Sequence, residues 1–332
     1  MYAVHAFAWM RAMAQAVARH RRDWSAALVI DSGIASHWFY ECCRRAGIPT
    51  AAYIRGNART SLENVDRYRH GTRRLYRWAM RWWYPWSESR MARSSPVVID
   101  NDLLAADLKL KGADVRMIVA ALARRHHVVS QPPEPSIQPQ PLRICWVGRM
   151  VRLKGLHVLL DALSQLARAG IAFEVDLIGP GDADYVRELQ ASSNAPELRG
   201  KVRFPGAVPW GDALFEYLDR AELFVLPSFT EGTPKSVTDA MARGLVVIAS
   251  RVGGIARLVE DGNTGFLVAP QGAKELFERL HLLALDPGLR RRLAVSTLKK
   301  VRGLTLDEQL PILVKAMLDA AARKSTEVGV AV

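Results

Sequence analysis

One stretch constrains this chain more than any other: residues 223–254, LFVLPSFTEGTPKSVTDAMARGLVVIASRVGG. An apolar strand, LFVLP, runs out at Pro227 into a turn that carries Glu231. Thr233 offers an N-cap hydroxyl, and Pro234 suits the first helical position, where a missing N–H costs nothing. Val237, Ala240, Met241 and Gly244 fall on one helical face, which predicts that this face packs. Lys235 and Asp239 share the polar face, four residues apart. A second apolar strand, VVIAS, leads to Gly253-Gly254, a turn where backbone can approach a ligand closely. The pattern predicts a βαβ unit with two loops at one sheet edge. In open α/β sheets, ligands bind at that carboxyl edge, and a helix N-terminus there favours anions, phosphates above all. The same stretch equally permits an ordinary βαβ unit in which Lys235 and Asp239 form a solvated pair worth roughly 0.3 kcal/mol.

The rest of the chain decides between these readings. With 332 residues, 49% of them hydrophobic, it is long enough for two domains. The formal net charge of +13 implies an anionic partner. The charge is uneven: residues 1–138 hold 21 Lys/Arg against 11 Asp/Glu, whereas the remainder, 25 against 22, is nearly balanced. Three cysteines, two of them adjacent (Cys42, Cys43) and one in a strand (Cys145), make neither a disulfide framework nor a metal cluster. They suit a reducing, cytoplasmic setting. No apolar run approaches the roughly 20 residues a membrane span needs, and no signal peptide is visible.

The chain opens in a helical pattern, AVHAFAWMRAMAQAVARHRR. A strand (26–30) then ends at Asp31, a helix follows near 35–46, and a strand (50–54) ends at the polar loop Arg55-Gly56-Asn57. A strand at 97–99, a helix capped by Asn101 or Asp102 and a strand at 115–120 continue the alternation, which predicts a parallel sheet. Residues 67–93 interrupt it with eight Arg, one acid and seven Tyr or Trp. Arg73, Arg77 and Arg81 recur every four residues, as do Trp78 and Trp82, and Pro85 is expected to end the helix. Such a helix packs its aromatic stripe on the sheet, or lays Trp and Tyr at a membrane interface with Arg on anionic headgroups. Nucleic acid is disfavoured, because no recognised nucleic-acid motif accompanies the patch. Residues 130–141, SQPPEPSIQPQP, read as a linker between domains.

After the linker the strand RICWVG leads through Gly148 and Arg149 to Lys154-Gly155, then to a helix with Leu156, Leu159, Leu160, Leu163 and Leu166 at helical spacing. Arg offers a planar fork and Lys a point charge, so the loop can clamp a diphosphate; two solvated loop cations are the plainer alternative. The strand EVDLIG reaches Gly179-Pro180-Gly181-Asp182, which is not the dinucleotide fingerprint GxGxxG and so speaks against nicotinamide or flavin. The strand VRF leads to Gly206-Ala207-Val208-Pro209. Loops 149–154, 179–182, 206–209, 229–234 and 253–254 are thus expected at one edge of a doubly wound sheet.

Read jointly, VGRM…KG…LL.AL, DLIGPGD, VRFPGAV and AELFVLPSFTEGTPKSVTDAMARGLVVIASRVGGIARLVEDGNTGFLVAP resemble glycosyltransferase family 4 over residues 143–270. These are retaining, nucleotide-sugar-dependent enzymes of GT-B fold. The resemblance implies two Rossmann-like doubly wound domains facing a cleft: an acceptor-side domain at 1–138, a nucleotide-sugar domain at 139–305, and a C-terminal helix at 306–325 returning to the first. It implies that Arg149 and Lys154, beside Gly148, hold the donor diphosphate. Glu231, the first glutamate of a Glu–seven residues–Glu motif, stands near the donor sugar. The backbone of Gly232, Thr233 and Pro234 at the helix N-terminus faces sugar and diphosphate, Gly179 borders the same site, and Val208 borders the base. Asp239 stands at the second glutamate, a ribose ligand one methylene shorter than the family's residue.

The first half matches less. Asp31 and Arg55 stand at strand ends as acceptor-side candidates, Arg55 where many relatives carry histidine. The family's opening strand and glycine-rich loop are not present, which implies a start upstream of Met1 or a shortened acceptor domain. The resemblance implies a hexosyltransferase-type enzyme that uses a UDP- or GDP-sugar without a metal or other cofactor. Its acceptor is a glycan or lipid-linked glycan of surface polysaccharide or lipopolysaccharide, reached at the inner face of the membrane. A catalytically degenerate GT-B partner subunit is the alternative, and a sugar-nucleotide epimerase or hydrolase a third.

Overall fold

The computed structural model describes residues 2–30, 33–54, 72–100, 102–138 and 140–329, and the chain divides into two compact units, Met1–Val119 with Gln309–Val332, and Ala120–Glu308. In the first unit α1 (Tyr2–His20), β1 (Ala27–Ile30), α2 (Ile34–Arg45), β2 (Thr50–Ile54), α3 (Thr72–Ser94), β3 (Val97–Ile99), α4 (Asp102–Leu110) and β4 (Val115–Met117) follow in order. The strands form one parallel sheet, β1-β2-β3-β4.

Alternation along β2 and β3 builds two apolar layers. Ala52, Ile54, Val97 and Ile99 point to one side, with Tyr40 of α2, Met91 of α3 and Leu108 of α4. Ala51 and Val98 point to the other, where Ala316 covers them with Ile312, Leu313 and Met317. Those four residues belong to the last helix, α12 (Leu306–Gly329), which therefore closes the first unit's sheet. Asp31 and Arg55, which follow β1 and β2, fall outside the described residues, as does much of the polar segment before α3.

One feature of α3 differs from the sequence expectation, and a second bears on the alternatives it left open. Pro85 lies inside the helix instead of ending it. A proline there deprives the carbonyl of residue 81 of its helical partner, a cost of about 3 kcal/mol. Arg81 is exposed, so water can serve that carbonyl, while Met80, Ser87, Glu88 and Met91 are buried on the inward side of the helix and hold it in place. The tryptophan stripe, in turn, faces away from the sheet: Trp78, Trp82 and Trp86 are exposed. No helix among the described residues is long and apolar enough to cross a membrane.

The second unit alternates strand and helix and closes on two helices: β5 (Leu142–Val147), α5 (Leu156–Arg168), β6 (Phe173–Ile178), α6 (Ala183–Ser193), β7 (Val202–Gly206), α7 (Asp212–Arg220), β8 (Leu223–Leu226), α8 (Lys235–Ala242), β9 (Val246–Ser250), α9 (Ile255–Leu258), β10 (Gly265–Val268), α10 (Ala273–Leu285) and α11 (Pro287–Val301). All six strands are parallel, in the order β10-β9-β8-β5-β6-β7. From β5 the chain winds outward through β6 and β7, then returns to the other side of β5 and winds through β8, β9 and β10. The reversal creates a switch point between β5 and β8, and a crevice opens there at the carboxyl ends of the strands.

The second unit begins at Ala120, ahead of the proline-rich stretch expected to link two domains. That stretch is packed into the unit. The Ser136 backbone N–H donates to Glu222 Oε1 at 2.5 Å, and its hydroxyl donates to Oε2 at 2.8 Å. Arg290, equally buried, lies 3.4 Å from Glu222 and donates to the Ser136 carbonyl. Pro132 lies against Gly244. Proline gives this segment an extended path, and the buried Glu222 anchors it.

Candidate active site

The loops that leave β5 and β8 meet at the switch point. Gly155, with φ +67°, ends the first of them; a Cβ there would fall 2.0 Å from the Pro227 carbonyl oxygen. This approach lets the Phe229 N–H donate to the Leu153 carbonyl at 2.8 Å, clasping the two loops. Across the clasp Lys154 Nζ donates to Glu231 Oε1 at 2.6 Å, and Ser228 Oγ donates to the same oxygen at 2.7 Å. The Glu231 side chain is 7% exposed and that of Lys154 23%, so the pair sits at the crevice wall, reachable on the lysine side.

The three cations of the first loop have different fates. Arg152 forks onto Glu188 of α6, with its shorter contact at 2.5 Å, and lies over the Tyr185 ring. Arg149 is exposed and makes no side-chain hydrogen bond or ion pair with any described residue. Arg149 and Lys154 are therefore the two the fold leaves at the crevice, one unpaired and one held by Glu231.

The glycine turn after β9 plays a different part from the one the sequence suggested. Gly253 has φ +54°, and a Cβ would lie 2.0 Å from the Glu231 carbonyl oxygen. Gly254 N–H donates to the Gly232 carbonyl at 2.8 Å. The backbone that approaches this turn is that of the acidic loop itself, so the turn holds Glu231 and Gly232 in position. On the other flank, Gly148 N–H donates to the Ile178 carbonyl at 3.0 Å, and Gly179 N–H to the Gly206 carbonyl at 2.8 Å. Gly148, Gly179 and half-buried Val208 thus lie on linked carboxyl-edge loops.

Helix α8 starts one residue later than expected. Pro234 is its N-cap, with φ −73° and ψ 116° and no side-chain cap, so Thr233 stands outside the helix. The extended ψ of Pro234 makes its carbonyl, rather than that of Thr233, the first to accept, from Val237 N–H at 3.1 Å. The first-turn N–H groups still open toward the acidic loop.

Asp239 is neither an exposed ligand nor half of a salt bridge with Lys235. It is 3% exposed, and Trp210 Nε1 donates to its Oδ2 at 3.0 Å. Oδ1 is buried without a hydrogen bond of ordinary geometry. Burial pushes the carboxyl up from 3.8 to about 6, against the Trp210 hydrogen bond, the Ala123 backbone amide and the Lys235 charge, which all favour ionisation. Trp210 in turn sits edge-on to His127 and Phe215, with ring centroids 5.4 and 5.6 Å away. Sequence reasoning passed over Trp210 and Ser228. Trp210 stands two residues beyond Val208 in GAVPW, and Ser228 three before Glu231; an indole N–H and a hydroxyl in carboxyl-edge loops were the available signals.

The architecture defines a class: two Rossmann-like α/β units, the GT-B fold of glycosyltransferases, with a cation–carboxylate pair at the switch point of the second. Residues 141–286 match the family model for Glycosyl transferases group 1. The chain is 36% identical over 146 residues to the putative colanic acid biosynthesis glycosyltransferase WcaL of Escherichia coli K12, covering 42% of this chain and 35% of that protein. A glycosyltransferase from Rickettsia africae superposes with a TM-score of 0.72 at 16% identity over 94% of this chain and 81% of the other. HepE from Anabaena in complex with UDP superposes with a TM-score of 0.68 at 18% identity over 96% and 82%. The chain spans between a third and a half of the length of the first curated relatives it matches.

Proposed function

We propose that this protein is a retaining glycosyltransferase that moves a sugar from a UDP- or GDP-sugar to a glycan or lipid-linked acceptor. The setting is cell-surface polysaccharide or lipopolysaccharide synthesis at the cytoplasmic face of the membrane. One observation carries the reading: Lys154 and Glu231 meet at 2.6 Å across the two loops of the switch point, and the Lys154 loop also carries exposed Arg149. The match of residues 141–286 to group 1 glycosyltransferases and the similarity to a putative colanic acid biosynthesis glycosyltransferase support it.

In this mechanism Arg149 and Lys154 take the diphosphate as it leaves the anomeric carbon. Cations fixed before the reaction stabilise charge that develops in the transition state, and no metal is needed to do so. The N–H groups that open α8 add a partial positive charge toward the same phosphates. Glu231, held by Ser228 and by the Gly253 turn, accepts hydrogen bonds from donor sugar hydroxyls and orients the ring. As the diphosphate draws Lys154 toward itself, Glu231 exchanges part of that pairing for sugar hydroxyls. The acceptor hydroxyl attacks from the face the diphosphate leaves, and a donor phosphate oxygen receives its proton. Asp31 and Arg55 stay as acceptor-side candidates. Asp239 reaches a ribose only when Trp210 swings aside; Val208 borders the base.

Titration calorimetry with a panel of UDP- and GDP-sugars tests the site. One donor is expected to bind, Lys154→Ala to abolish that binding, and Glu231→Ala to abolish transfer while leaving nucleoside diphosphate affinity within a few-fold. Transfer that survives Glu231→Ala unchanged would sink the assignment. Diphosphate release at full rate without any acceptor would favour a hydrolase instead.

A further inference from the structure

Helix α3 turns a continuous aromatic stripe to solvent. At about 100° per residue, Leu75, Trp78, Trp82 and Trp86 fall within about 80° of one another, and Met80, Ser87, Glu88 and Met91 gather on the opposite side. Exposure follows this division: 70%, 65%, 71% and 53% for the four in the stripe, against 5%, 0%, 2% and 0% for the others. The inward face is thus already satisfied by the first unit's core, and the stripe extends for about 17 Å along the helix. Patches of this kind mark an interaction site, since scattered exposed apolar residues do not align.

We propose that this stripe docks the protein on an anionic lipid bilayer. Tryptophan pairs a broad apolar ring with an N–H donor, which suits it to the depth of the headgroups. Charge complementarity names the lipid. Exposed Arg81 lies on the Trp78 side of the stripe and exposed Arg93 prolongs it, while Glu88, the one acidic residue of α3, is buried on the inward side. The outward surface of α3 therefore carries cations and no anion. Residues 1–138, which hold most of the first unit, have a net charge of +10 against +3 for the remainder. A second copy is a poor occupant, because a two-fold contact along the stripe sets arginine against arginine. With no helix long and apolar enough to cross a membrane among the described residues, the helix lies on the surface, tryptophans down. The docking itself stands on the first unit alone; its purpose, bringing the enzyme to a lipid-linked acceptor, rests on the proposed function.

The test is co-sedimentation of the full chain with vesicles, without donor or acceptor, so that failure of sugar transfer leaves the result untouched. Vesicles of phosphatidylcholine alone are compared with vesicles carrying about 30 mol% phosphatidylglycerol, at low and at about 0.5 M salt. The protein is expected to partition onto the anionic vesicles about tenfold better, with a blue shift of tryptophan emission, and to be released by salt. The double variant Trp78→Gln/Trp82→Gln should lose about tenfold in partition. Both positions face solvent, and unchanged circular dichroism establishes that the variant folds. Leu285→Gln, a similarly exposed apolar site in the second unit, should bind as the parent does. Protein left in the supernatant, a double variant that binds undiminished, or a lipid-free dimer that the same variant dissociates would each overturn the proposal.

Discussion

Trp210 Nε1 donates to Asp239 Oδ2 across 3.0 Å, joining the loop beyond β7 to the buried side of α8. The indole is the carboxylate's one hydrogen bond of ordinary geometry, and burial outweighs it, raising Asp239 to about 6. The folded state therefore binds this proton more tightly than the unfolded chain. Stability contributed at low pH is lost as pH rises from about 4 through about 6, and by pH 8 the ionised group costs about 3 kcal/mol. Asp239→Asn should unfold at higher urea than the parent at pH 8, the difference vanishing near pH 4. A variant curve parallel to the parent's at all pH values would refute this.

Trp210→Phe separates stacking from donation. The ring keeps its edge contacts with His127 and Phe215, but Asp239 loses its donor. The expected cost at pH 8 is about 1–3 kcal/mol in urea unfolding, because a buried acceptor is left unsatisfied. At pH 4, where Asp239 is protonated, the cost should shrink.

Arg149 and Lys154 should answer differently to truncation. Exposed Arg149 pairs with no described residue, so Arg149→Ala is expected to weaken UDP or GDP affinity with stability changed by no more than about 0.5 kcal/mol. Lys154→Ala strips Glu231 of its cation and should cost about 1–3 kcal/mol as well as the nucleotide. Calorimetry and thermal unfolding on the same two preparations distinguish the outcomes.

Gly253→Ala forces a Cβ into the Glu231 carbonyl, whereas Gly303→Ala meets nothing within 4 Å. The first should lose at least about 2 kcal/mol and displace the acidic loop, so nucleotide binding falls with it. The second should lie within about 1 kcal/mol of the parent. Equal denaturant midpoints for the two variants would show that the clasp is slack.

Arg290→Met should be among the most damaging single changes in the second unit, at about 3–5 kcal/mol. It leaves buried Glu222 without its buried cation and frees the Ser136 carbonyl. Limited proteolysis should then cut within residues 130–141, which resist in the parent.

The second unit's plan was open to reading in the sequence because each strand ends in a glycine, proline or charged turn. Parallel pairing leaves such turns nowhere to go but one edge. Long-range partnerships were not open to it. Nothing local to Glu231 announces Lys154, 77 residues earlier, and nothing near Asp239 announces the indole of Trp210. The proline-rich stretch misled for the same reason, since its hold on Glu222 depends on a residue 86 positions away. In α3 the recurrence of Trp78 and Trp82 told that they share a face. Which face is buried is decided by Met80, Ser87, Glu88 and Met91, whose mixed character hides an inward stripe.

Helix α12 lies over Ala51, Val98 and Ile118, yet it is synthesised only after the whole of Ala120–Glu308. The second unit, Ala120–Glu308, is continuous and can complete its own core during synthesis. The first is interrupted by it, and one side of its sheet waits for α12 through the whole of that segment, about 10–40 s at ordinary translation rates. Vectorial synthesis thus finishes the later unit first. A chain cut short before Gln309 would carry a sound second unit attached to a half-clothed sheet, a natural target for chaperones and proteases.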